Sequence, residues 1–156
     1  MSRTALVVTA LVSLFHSVAN AQGQTEYELN HQLAETKRQA VVATNLPLLE
    51  SEAEAFWALY LEYRAAAKEM DDRRLDLIRR YANVYDDLPS DQGDDLVTDA
   101  LRVERERQAV KQRYLKKFAR LLPGQRLFRY YQIETKLDAM QRYDWTQQIP
   151  LAPVTD

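Results

Sequence analysis

The chain has no cysteine, three glycines and two histidines in 156 residues. The missing thiols exclude disulfides, thiol catalysis and thiolate metal sites, and no glycine-rich stretch resembles a phosphate loop. His16 falls in the N-terminal segment, which leaves His31 alone for metal or acid–base chemistry further on. Its Glu28-Leu29-Asn30-His31 stretch is a single E-x-x-H, whereas di-iron bundles use two such pairs with further inward carboxylates. The pairs Asp71-Asp72, Asp86-Asp87 and Asp94-Asp95 lack EF-hand spacing and read as helix-surface charge. Serine hydrolysis lacks both a base and a G-x-S-x-G turn. No catalytic residue, metal ligand or cofactor is therefore assigned, and the chain reads as a non-enzyme.

Long apolar runs are also missing. The stretch Ala5 to Phe15 is too short to span a bilayer comfortably. With Arg3 ahead of it and Ala19-Asn20-Ala21 behind it as an A-x-A site, it reads as a secretory signal cleaved after Ala21. The expected location is periplasmic or secreted, with no integral membrane span after cleavage and no cysteine to carry a lipid anchor. Removing 1–21 takes away Arg3 and no acid, so 21 basic residues become 20 against 23 acidic ones, a formal charge of −3. That near balance gives no general pull toward nucleic acid. The basic stretch Lys111 to Arg129 reads as a solvated face that complements a helix end.

What is present is helical periodicity. From about Ser51 to Asp87, apolar residues recur at steps of four and three: Phe56, Tyr60, Tyr63, Ala67, Met70, then Leu77, Tyr81, Val84 and Leu88. Arg74 is the one interruption. From about Asp91 to Leu122 the stripe is Leu96, Ala100, Val103, Val110, Tyr114 and Leu121, interrupted at Arg107. Leu88-Pro89-Ser90 supplies the turn between them. Each arm mostly opens acidic and closes basic, as its macrodipole favours, so antiparallel pairing sets acidic starts beside basic ends.

Two shorter helices flank these arms. One starts at Thr25, capped by a T-x-x-E box with Glu28, and ends near Asn45 before the Leu46-Pro47-Leu48-Leu49 break. Ser51 and Glu54 form a second such box at the head of the long arm. The other flanking helix runs from Gln125 to about Tyr143, with Phe128, Tyr131, Leu137 and Met140 near one side and Tyr130 and Ile133 beside it. The sequence thus predicts an all-α fold: a long antiparallel hairpin with two shorter helices, in one domain over 22–145, then an irregular tail over 146–156.

Leu49-Glu50-Ser51-Glu52-Ala53-Glu54-Ala55-Phe56-Trp57 and Leu121-Leu122-Pro123-Gly124-Gln125-Arg126-Leu127-Phe128 each open a helix. They resemble two degenerate copies of the L-T-x-x-Q motif of the Spy and CpxP group of periplasmic proteins; the second keeps its glutamine as Gln125. The run Phe128 to Leu137 is similar to exported helical proteins associated with that group. The resemblance implies an ATP-independent chaperone forming thin antiparallel dimers, or an accessory protein that restrains an envelope-stress sensor.

The residues themselves allow two readings of the aromatics. Phe56, Trp57, Tyr60 and Tyr63 lie within one broad helical face and serve as plain core, where each buried ring contributes about 1.5 to 3 kcal/mol. Alternatively, with Phe128, Tyr130 and Tyr131, they line a dimer seam or a surface for unfolded envelope clients, because long thin arms leave apolar area uncovered. A structural or regulatory protein with one specific partner would use the same face.

Overall fold

A computed structural model describes residues 29–153. The expected signal peptide at 1–21, the Thr25–Glu28 capping box and the end of the tail at 154–156 lie outside the described residues. Among the described residues there are four helices and no strand, so the fold class is all-α. Residues 29–45 are helical and are called α1; α2 is Glu50–Val84, α3 is Ser90–Phe118 and α4 is Gly124–Gln148. Two compact units are divided between Asn45 and Leu46, so α1 belongs to one and α2, α3 and α4 to the other. In α1, the Asn45 amide donates to the Val41 carbonyl at 2.8 Å and so occupies one of the carbonyls that a helix end leaves over.

Helix boundaries follow local chemistry and correct three expectations. The N-cap of α2 is Leu49 rather than Ser51, with Glu52 reaching back to accept its N–H at 3.3 Å. Leucine has no acceptor to return the bond, so one half of a capping box forms. At its far end α2 stops at Val84, three residues before Asp87. Carboxylates at Asp86 and Asp87 would oppose the negative end of the helix dipole, and Pro89 holds Leu88 out of helical geometry. The last helix runs past both Tyr143 and the expected tail boundary at 146, ending at Gln148. Ile149 is extended (φ −99°, ψ 113°) as the residue before Pro150 must be.

Within the larger unit α2 and α3 run antiparallel. Ion pairs climb one arm as they descend the other: Glu62 with Lys117, Arg73 with Glu106, and Arg80 with Asp99. The short link from Phe118 to Gly124 returns the chain, so α4 lies parallel to α2. Arg126 grips Glu52 in a two-pronged pair at the start, Gln141 reaches Asp71 midway, and the Tyr81 hydroxyl donates to the Pro150 carbonyl at 3.0 Å beyond the end of α4.

One end of this three-helix unit is an aromatic core. Phe118 stands 4.5 Å from Tyr130 and 5.3 Å from Phe56 between ring centroids, and Phe56 meets Tyr130 edge-on at 5.4 Å. Tyr60, Tyr63 and Tyr114 continue the cluster along α2 and α3. Edge-to-face and tilted pairs at such separations add about 0.5 to 1.5 kcal/mol each beyond the area they bury.

The rotation of α4 differs from its expected one. Of the side expected to be apolar, Phe128, Tyr131 and Met140 are exposed and Leu137 is half-buried, while Tyr130, Glu134 and Asp138 are buried. The reason is electrostatic: α2 and α3 present Arg64, Arg107 and Lys111 toward α4, and their partners there are the carboxylates of Glu134 and Asp138.

Candidate functional site

Next to the aromatic core the packing changes to ions. Arg107, the interruption in the α3 stripe, donates from one side to Asp71 on α2 and from the other to Asp138 on α4 at 3.3 Å. Lys111, one turn on, donates to the second Asp138 oxygen at 2.9 Å and to the Thr135 hydroxyl at 3.2 Å. Asp71 is fully buried, with its other oxygen accepting from Gln141 at 3.5 Å. A buried carboxylate is tolerable only when its lone pairs are taken up in this way. Asp71 is therefore corrected from surface charge to the anchor of an interior ionic layer. Lys111 is likewise corrected from a solvated cation to a bridge between two helices.

Outside this layer α3 and α4 do not close on each other. The gap is an open cleft of about 670 Å³, within the roughly 300 to 1,000 Å³ that ligand sites occupy. Tyr63 and Ala67 of α2 lie at its base, Gln108 and Val110 of α3 form one wall, and Tyr131 and Tyr143 of α4 form the other. Four cations line it, Arg74, Arg107, Lys111 and Arg142, against two carboxylates, Glu104 and Asp138. The carboxylates are already engaged: Asp138 by Arg107 and Lys111, Glu104 by Arg74 at 3.5 Å.

Arg74 sits over the Trp145 ring at 5.4 Å. Burial pulls its guanidinium below the usual range, and the charges of Arg107 and Arg142 push the same way against the relief from Glu104. Arg142 is exposed and makes no ion pair among the described residues. Lys111 also lies over the Tyr131 ring at 5.2 Å, so a cation and an aromatic share the far end of the cleft.

The seven aromatics singled out by sequence separate into three groups. Phe56, Tyr60, Tyr63 and Tyr130 are buried in the aromatic core; of these Tyr63 also shows at the base of the cleft. Trp57 is half-buried, edge-on to Phe56 at 5.1 Å and to Tyr60 at 5.4 Å. Phe128 and Tyr131 are exposed and stack on each other at 6.5 Å, with Tyr131 on the cleft wall. The Tyr130 hydroxyl finds no hydrogen-bond partner among the described residues, and burial, with the nearby Glu134 charge, holds its phenol well above the ordinary tyrosine range.

Sequence reasoning missed Asp71, Asp138 and Arg142. A signal for the layer was present: both apolar stripes are broken by an arginine, and a cation at a seam position must find a buried anion or leave the interior. The partner could not be chosen among 23 acids without knowing which faces meet. No family model, no curated protein and no solved structure matches the chain.

Proposed function

We propose that this is an exported helical binding protein of the Spy and CpxP kind, a non-enzyme that holds segments of other envelope proteins without ATP. The observation that carries the reading is the unclosed cleft between α3 and α4, whose α4 wall leaves Tyr131 and Tyr143 in solvent, with Phe128 stacked on Tyr131 and Met140 exposed elsewhere on the same helix. Exposed apolar side chains gathered beside a cleft mark interaction surfaces more often than isolated ones do. The thioether of Met140 and the amphipathic tyrosines suit varied apolar segments. The surface proposed is thus the outward face of α4 with the cleft, rather than the buried stripe of α2. The defined ionic geometry beneath it favours a second reading, an accessory protein with one specific partner or a second copy of itself.

An aggregation assay with a chemically unfolded substrate separates these readings. Suppression at stoichiometric amounts, lost when Phe128, Met140 and Tyr143 are all changed to Ser, supports the chaperone. No suppression by the unsubstituted protein overturns it and leaves the single-partner reading.

A further inference from the structure

We infer that the cleft is a receptor for carboxylate side chains, taking an acidic, amphipathic segment of another protein with one Asp or Glu seated between Arg74 and Arg142. The inference rests on the binding role proposed above and names the chemistry of the segment bound. Three guanidiniums, Arg74, Arg107 and Arg142, line the cleft together with two carboxylates that are already engaged, Glu104 by Arg74 and Asp138 by Arg107 and Lys111. Arg107 has committed both of its terminal nitrogens, to Asp71 and Asp138. Arg74 uses one terminal nitrogen in a long 3.5 Å contact with Glu104, and that glutamate is 55% exposed. Arg142 is uncommitted among the described residues. The cleft therefore holds four cations against two carboxylates, in a chain whose overall charge is negative.

A guanidinium fork donates two parallel bonds to a carboxylate. An anion seated there also relieves the repulsion that Arg107 and Arg142 exert on the half-buried Arg74. The shape favours a peptide over a small anion. The α4 wall extends from Tyr131 to Thr146, about 22 Å at ~1.5 Å per residue, and is open along one side. Tyr131 and Tyr143 flank the cations with apolar area that a bare oxyanion would leave unused. A helix laid along the groove would place its acid on the arginines and its apolar residues on the tyrosines.

Trp145, under Arg74, provides the readout. In a Trp57→Phe background the remaining indole of the chain is titrated with a synthetic amphipathic Glu/Leu peptide, its Gln/Leu and Lys/Leu counterparts, and inorganic phosphate. The expected result is a saturable change in Trp145 emission with the Glu peptide alone, weakened by added salt and weakened about tenfold or more by Arg142→Gln. Lys116→Gln, an exposed charge outside the cleft, leaves it unchanged. Equal binding of the Gln peptide, a response to the Lys peptide, saturation by phosphate as tight as by the Glu peptide, or no saturable change each overturns the inference. The peptide series on the Arg142-containing protein decides the matter even if Arg142→Gln fails to fold. A positive titration with no suppression of aggregation leaves the acid receptor standing while the chaperone reading falls.

Discussion

The two halves of the three-helix unit bury opposite chemistry at neighbouring heights. Where Phe56, Phe118 and Tyr130 meet, cohesion comes from apolar area and ring contacts that tolerate many orientations. One step along the axis, Asp71, Arg107, Asp138 and Lys111 meet through directed bonds whose geometry admits few alternatives. The aromatic half supplies most of the cohesion, and the ionic half sets how α4 is turned about its axis. Buried ion layers often add little net stability, because desolvation offsets the attraction. Their consequence here is orientation: carboxylates of α4 go inward and Phe128, Tyr131 and Met140 stay exposed.

The largest expected effect lies in the aromatic half. Phe118→Ala removes a ring touching both Phe56 and Tyr130 and should cost about 3 to 5 kcal/mol in urea denaturation. In the ionic half, Asp71→Asn strands Arg107 beside a neutral partner, and the loss should be about 3 kcal/mol. Replacing Asp71, Arg107, Lys111 and Asp138 together by Leu or Met should restore most of that stability. The contrast is sharpened if the quadruple variant is as stable as the wild type yet Trp145 emission shows a changed setting of α4, and it is broken if the quadruple variant is worse than Asp71→Asn.

A subtler difference appears on alkaline titration. The phenol of Tyr130 is held neutral by burial and by Glu134, whereas in the unfolded chain it ionises near the ordinary pKa of about 10. Its contribution to folding is therefore full below about pH 10 and is lost as the pH rises from there toward the raised native value. Tyr130→Phe should change stability at neutral pH by about 1 kcal/mol or less, since the hydroxyl it deletes has no partner among the described residues. It should also unfold later than the wild type in a pH series above 10.

The smallest effects belong to the surface pairs. Hydrogen bonds from Arg126 lower the Glu52 pKa, and those from Arg80 and Arg102 lower that of Asp99. Both carboxylates therefore stabilise the fold above their ordinary values of 4.5 and 3.8, and that stabilisation fades as the pH falls through their lower native values. Glu52→Gln with Asp99→Asn should flatten the acid limb of a plot of urea midpoint against pH, with a difference that shrinks at high salt.

How much of this was readable beforehand varies by element. The α2 stripe was legible because Phe56, Tyr60, Tyr63, Ala67 and Met70 recur at helical spacing, and all five are buried. The turn at Pro89 and the break at Pro47 were legible because proline constrains its own φ and the residue before it. The faces of α4 were not. Phe128, Tyr131 and Met140 suggest one inward side, and no count of apolar residues can weigh that against cations waiting on another helix. The cleft was invisible for the same reason, since Arg74, Arg107 and Arg142 lie on three different helices.

Taken alone, the residues of this chain determine that it is helical, roughly where each helix starts and stops, and which side of α2 faces inward. Those properties come from neighbours within a few positions, where spacing, capping and proline act. Tertiary structure alone decided that Asp71 would be buried, that α4 would turn Phe128 and Tyr131 outward and Tyr130 inward, and that three guanidiniums would share one opening. Charges separated by 30 or more positions interact only once the helices have been set side by side, and their energies depend on burial that no local pattern encodes.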